Sequence, residues 1–123
     1  MLKELCPYKR FNKHFKEFIR ELMKTYPHVT EYKVMLAGYK ITKTISKKLP
    51  FKIWTDVINE DMRVVIVNKD PSKILDPNFN VSEYEYVINM MRREWPNMNT
   101  HSQEMVWQHM NVLMILADDC PCK

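Results

Sequence analysis

The stretch IVNKDPSKILDP, Ile66 to Pro77, decides the fold. Its apolar start is either a strand that delivers Asp70 to a pocket or the end of a helix stopped before Pro71. Upstream, Phe51, Trp54, Ile58, Met62 and Val65 step by three and four behind Pro50, a good helix starter, and this stripe runs straight into the VVIV at Val64–Val67. A strand over 63–67 needs a neighbour to satisfy its backbone, and the only β-rich candidate is the segment around Gly38. The pattern therefore predicts one helix stopped near Asn68, because a residue before proline is pushed out of the α region. Asp70 then sits in a turn, where its side chain bonds nearby backbone N–H groups. The competing arrangement is an α+β fold with a small sheet from residues 32–46 and 63–67.

Working outward, Tyr8, Phe11, Phe15, Phe18, Leu22 and Tyr26 recur at helical spacing between Pro7 and Pro27, with Ile19 and Met23 beside them. Tyr32, Met35, Leu36, Tyr39, Ile45 and Leu49 make a second stripe with Thr30 as its cap, although Gly38 in mid-helix costs about 1 kcal/mol relative to Ala. Beyond a linker rich in Pro, Asp and Asn, Ser82 with Glu85 forms a capping box for a fourth helix with Val81, Tyr84, Val87, Ile88, Met91 and Trp95 on its buried side. Thr100 with Gln103 repeats the box for a fifth. There Val106, Met110, Leu113 and Ala117 form a stripe flanked by Trp107, Met114 and Ile115, so this helix is expected at the centre. The expected fold is all-α, a single-domain bundle of about five helices over residues 1–123.

Composition excludes several classes of protein. One glycine, Gly38, rules out the usual dinucleotide and phosphate-loop fingerprints, and HExxH, GxSxG and EF-hand patterns are absent from the sequence. The longest apolar run, Val112–Ala117, is far shorter than the roughly 20 residues that span a bilayer. The opening MLKELCPYKR has no apolar stretch long enough for a signal-peptide core, so the expectation is a chain that stays in a reducing cytosol and is not secreted. Cys6, Cys120 and Cys122 are then most simply thiols; a zinc site joining them with one of His14, His28, His101 or His109 lacks the usual C-x₂₋₄-C spacing. No cofactor or metal is expected. Asp56 and Glu60 share a helix face at i, i+4 and read as a solvated pair, and Asp118–Asp119 close the last helix where the dipole disfavours them. The ten methionines suit either an adaptable binding surface or core gaps, and Met62, Met91 and Met110 lie inside apolar stripes, which favours the core.

Charge is distributed unevenly. Residues 1–50 hold twelve Lys and Arg against four Asp and Glu, whereas residues 51–123 hold seven against eleven. On the first helix Lys9, Lys13, Lys16, Arg20 and Lys24 step by four, three, four and four, nearly opposite the aromatic stripe. This predicts a cationic outer ridge, extended by Lys40, Lys43 and Lys47 of the second segment. Such a ridge suits phosphates, an acidic membrane surface or an acidic protein face, or is simply a solvated side. No aromatic is interleaved for base stacking.

The aromatic opening FNKHFKEFIRELMKTYP, the VIVNKDPSKIL after the third helix and the late MVWQHMNVLMILADDC carry a resemblance over most of the chain. In these segments it resembles a group of small uncharacterised helical proteins encoded by nucleocytoplasmic large DNA viruses. The sequence departs from that pattern at Lys73-Ile74, where aromatics tend to stand, and at Gln108-His109-Met110, where the family reads more like Lys-Tyr-Leu. The resemblance implies an all-α viral protein of the host cytoplasm or virion, with no active residues to carry over. The resulting expectation is a non-catalytic accessory or virion-associated protein. It would bind another protein or a second copy of itself, with nucleic acid on the basic ridge as the alternative. An enzyme is the third class, which a buried cluster of Asp, or of Cys and His, would revive.

Overall fold

The computed structural model describes residues 8–76, 78 and 85–119, and among these it is all-α, with no strand. The elements are α1 (Tyr8–Thr25), α2 (Thr30–Ile45), α3 (Leu49–Val57), α4 (Glu60–Asn68), α5 (Ser72–Leu75), α6 (Glu85–Glu94), a 3-10 turn at Trp95–Asn97, and α7 (Thr100–Asp118). Both segments of the competing sheet are helical. The expected Ser82 cap, Val81, Tyr84, Cys6, Cys120 and Cys122 lie outside the described residues.

The opening stretch resolves in favour of the helix, with two refinements. The long third helix is broken in two by Asn59, whose Oδ1 accepts the Met62 N–H at 3.1 Å and so caps α4, while Glu60 and Asp61 suit its positive end. Asp56 and Glu60 therefore belong to different helices and are not an i, i+4 pair. At the other end α4 is closed by Lys69 in the left-handed region (φ 53°), with the Lys69 N–H on Ile66 O at 3.2 Å and the Asp70 N–H on Val65 O at 3.1 Å. This is a Schellman closure built on lysine where glycine is usual. Asp70 lies in the expected turn, its Oδ1 accepting the Ser72 N–H at 3.0 Å. Bonds from the backbone and then the side chain of Ser72 hold its carboxyl below the ordinary carboxylate range.

Two caps move by one position. Thr30 is the first residue of α2 rather than its cap, which is Val29 with no side-chain bond. The α7 cap is Asn99, not Thr100: Asn99 Oδ1 accepts the Ser102 N–H at 2.8 Å, and Gln103 turns away to donate Nε2 to Trp95 O at 3.0 Å.

Contacts divide the chain into two units, one reaching to Asp56 and including the residues from Val112 on, the other Val57–Asn111. In the first, Phe11 (1% exposed) is the hub of an aromatic cluster. Its ring meets Phe15 at 6.1 Å, Phe51 at 5.7 Å and Trp54 at 5.7 Å, the last two edge-on. Ile19, Leu36 and Tyr39 form the α1–α2 core, with Phe15, Met23 and Met35 against them. In the second unit Trp95 packs edge-on against Trp107 at 5.0 Å. Arg92 clasps the end of α5, donating Nε to Ile74 O at 2.8 Å and Nη2 to Asp76 O at 2.9 Å. Met62 and Met110 are buried as their stripes predict, whereas Met91 is only half-buried and its neighbour Met90 is buried instead; Met114 is buried as well. Val106, Leu113 and Ala117 are buried as their stripe predicts, but Val112 and Ile115 leave the other side of α7 exposed.

Gly38 sits in mid-α2, and a methyl group built on it meets nothing within 4 Å. Gly38→Ala is expected to raise stability by about 1 kcal/mol, since alanine restricts the unfolded chain and favours the helix without a clash. Urea unfolding monitored by circular dichroism reads the gain as a higher midpoint at unchanged slope. A lower midpoint would mean that α2 needs glycine for a close approach not seen here.

Candidate functional site

The charge asymmetry of the sequence becomes a place in the structure. Lys9, Lys13 and Lys16 from α1 face Lys43 of α2 and Lys47 just beyond it across a cleft of about 600 Å³, with Tyr8, Asn12 and Tyr39 completing the lining. The row on α1 was expected as an outer ridge, and the structure makes its first half one wall of a groove. The buried arc of α1 is broader than the aromatic stripe, because Asn12 and Ile19 are buried too. At 100° per residue Lys9 and Lys16 stand only about 40–60° around the helix from Asn12. They therefore flank the α2 contact instead of pointing away from it.

The remaining cations divide. Arg20 and Lys40 lie outside the lining but act on it: repulsion from Arg20 foremost, then burial, then Lys43 and Lys40, makes Lys16 easier to deprotonate than an ordinary lysine. Lys24 belongs to the last turn of α1, where a cation complements the helix dipole, and is not part of the cleft. The extension by Lys40, Lys43 and Lys47 read from the sequence joins the same patch. Like charges held this close are costly unless an anion or salt screens them.

Beneath the lysines lies a polar anchor that pattern analysis missed. Asn12 is 4% exposed; its Nδ2 donates to Lys47 O at 3.0 Å, and its backbone carbonyl accepts the Tyr39 hydroxyl at 3.0 Å. These bonds tie the middle of α1 to α2 and to the chain just after it, which sets the width of the groove. Burial pushes the Tyr39 phenol up from its usual range, keeping it a neutral donor. Asn12 Oδ1 is buried and accepts no hydrogen bond. An orphan of this kind costs about 1–3 kcal/mol. Sequence alone gives no signal for it, because an asparagine between an apolar stripe and a lysine row looks like a surface residue.

Tyr8 brings an aromatic to the groove. Its ring packs on Phe51 at 5.3 Å, and Lys48 Nζ lies 5.9 Å from its centre. The row Lys9 to Lys24 carries no aromatic of its own, but the cleft sets Tyr8, one residue ahead of the row on α1, and Tyr39 of α2 beside its lysines.

Other sequence candidates do not assemble. His14 is half-buried on α1, and burial lowers its pKa against a smaller opposing pull from Glu17. The His28 ring packs edge-on against Tyr26 at 6.2 Å. Among the described residues no three His, Cys, Asp or Glu side chains come together to hold a metal ion, and no helix is long and apolar enough to cross a membrane. The cleft supplies positive charge, two phenols and a buried carbonyl acceptor, and it offers no carboxylate or imidazole in its lining to move a proton. It is equipped to hold an anion. Compared with protein families, curated proteins and solved structures, the chain matches none.

Proposed function

We propose that this chain is a non-catalytic binding module whose α1–α2 cleft takes the phosphate backbone of a nucleic acid strand. One observation carries the proposal: five lysines from two segments converge on a single concave surface. Lysine rows on convex helix faces are common and usually serve only solubility. Lys16 gives up its proton more readily than an ordinary lysine, first because of Arg20 beside the groove, then burial, then Lys43 of the lining and Lys40, and a bound polyanion relieves that repulsion. The Tyr8 ring adds a surface on which a base of a single strand can stack. The viral, virion-associated setting, in the host cytoplasm or the particle, belongs to the same proposal. It rests on the resemblance of the three quoted segments.

A protein partner or a second copy is the other reading, favoured by a specific surface. Val34, Ile41 and Ile45 stand 56%, 62% and 72% exposed along one side of α2. Isolated exposed apolar residues are ordinary, but a row of three on one helix suits a partner surface.

Fluorescence anisotropy with labelled single-stranded oligonucleotides, at low and moderate salt, separates the two. Nucleic acid binding is expected to be saturable and to weaken with a log–log slope of about −0.7 per phosphate contacted, or about −3.5 if all five lysines engage. Absence of binding at low salt would overturn the nucleic acid proposal. Saturable association with a protein that survives moderate salt would instead support the apolar row.

A further inference from the structure

We infer that the cleft distinguishes ribose from deoxyribose, Asn12 Oδ1 receiving a sugar 2′-hydroxyl while the surrounding lysines hold the flanking phosphates. The inference rests on the nucleic acid proposal and narrows its partner to RNA. Asn12 lines the groove between Lys9, Lys13 and Lys16, and its buried Oδ1 is an acceptor without a donor. The amide cannot relieve this by turning over. With Nδ2 on Lys47 O at 3.0 Å, a flip would place Oδ1 against that carbonyl oxygen.

An aliphatic residue at position 12 would fill the space with no orphaned atom. Asparagine is also a poorer residue for a helix interior. The lining therefore combines features that each ask something different of a ligand. The lysines supply donors and positive charge but no acceptor. The Asn12 oxygen accepts, and it needs an O–H or N–H. A ligand that satisfies both carries anionic oxygens with a hydroxyl donor one sugar away. The ribose-phosphate backbone repeats that combination at every nucleotide, and DNA lacks the hydroxyl. Asn12 Oδ1 is itself buried, so a sugar reaches it as the long lysine stems that share the cleft lining shift.

The test uses the full chain and three labelled single strands of one sequence made only of adenine and cytosine, as RNA, DNA and 2′-O-methyl RNA. Methylation removes the donor while keeping charge, bases and the sugar oxygen. RNA is expected to bind about fivefold to tenfold more tightly than DNA, with the 2′-O-methyl strand falling to the DNA level. Asn12→Leu is expected to equalise the affinities for RNA and DNA; the ratio is the readout, because losing the Asn12 bond to Lys47 O changes the groove for both strands alike. Should that variant fail to fold, the comparison of wild-type protein with the methylated strand still decides. Equal affinity for RNA and DNA, with normal salt dependence, would overturn the ribose inference alone. Failure of both strands to bind, or their displacement by polyglutamate at equal charge, would overturn the phosphate-strand proposal beneath it.

Discussion

Phe11→Ala is expected to lower the stability of the chain by about 3–5 kcal/mol, the range for removing a buried phenylalanine. The ring is 1% exposed and lies within 6.1 Å of three other aromatic rings, on α1 and α3. Truncation opens a cavity that rigid neighbours cannot collapse into, and it removes two edge-on ring pairs besides the buried area. A domain of this size has roughly 5–15 kcal/mol in total, so a single substitution takes a large fraction of it. Urea titration read by near-ultraviolet and far-ultraviolet circular dichroism measures the loss, with Lys33→Ala on exposed α2 surface as a control within about 0.5 kcal/mol of wild type. A change below about 1 kcal/mol would show that the aromatic cluster does not hold α1 and α3 together.

The second large effect is on binding. Lys13→Glu, Lys16→Glu and Lys43→Glu together are expected to weaken binding of single-stranded RNA by about two orders of magnitude or more at about 50 mM salt, and to flatten the log–log salt slope by about 2. The variant should fold about as well as wild type, because the substitutions relieve repulsion at Lys16 and cost only the contact of Lys43 Nζ with the Tyr39 ring, 6.0 Å from its centre. Melting curves check this. The informative control carries the same charge change elsewhere, as Lys24→Glu, Lys33→Glu and Lys52→Glu, all exposed and outside the groove. A ridge that continued to Lys24 would feel this control strongly, whereas the cleft should lose only a few-fold through long-range attraction. Equal losses in both variants would mean diffuse attraction to a basic surface and no discrete site.

The parts of the fold that depend on periodicity were legible in the sequence. The aromatic steps from Tyr8 to Leu22 predict α1, and those of Val106, Met110, Leu113 and Ala117 predict the buried side of α7. Local breaks were harder. The apolar period passes straight through Ile58–Asn59, and only the capping chemistry of Asn59 with Glu60 and Asp61 reveals that two helices stand there. Lys69 gives no cue to a left-handed closure, since lysine rarely takes that conformation.

The candidate site shows the same limit at longer range. The basic row and its extension to Lys43 and Lys47 were visible, but their meeting across a groove depends on the packing of α2 beside Asn12 and Ile19. A helical wheel of α1 places each residue relative to its own axis only. It therefore assigns Lys9 and Lys16 to the outside, and nothing in it sets Tyr39 against the Asn12 carbonyl.

The crowding at Lys16 has a thermochemical consequence. In the free chain its ammonium gives up a proton more readily than usual, chiefly because of Arg20. A phosphate bound as proposed would reverse that bias, so association in alkaline buffer would draw protons from solution and its affinity would decline as pH rises through the lowered titration range of Lys16. Heats measured by calorimetry at one alkaline pH will then differ between buffers of unequal ionisation enthalpy, and the difference counts the protons taken up.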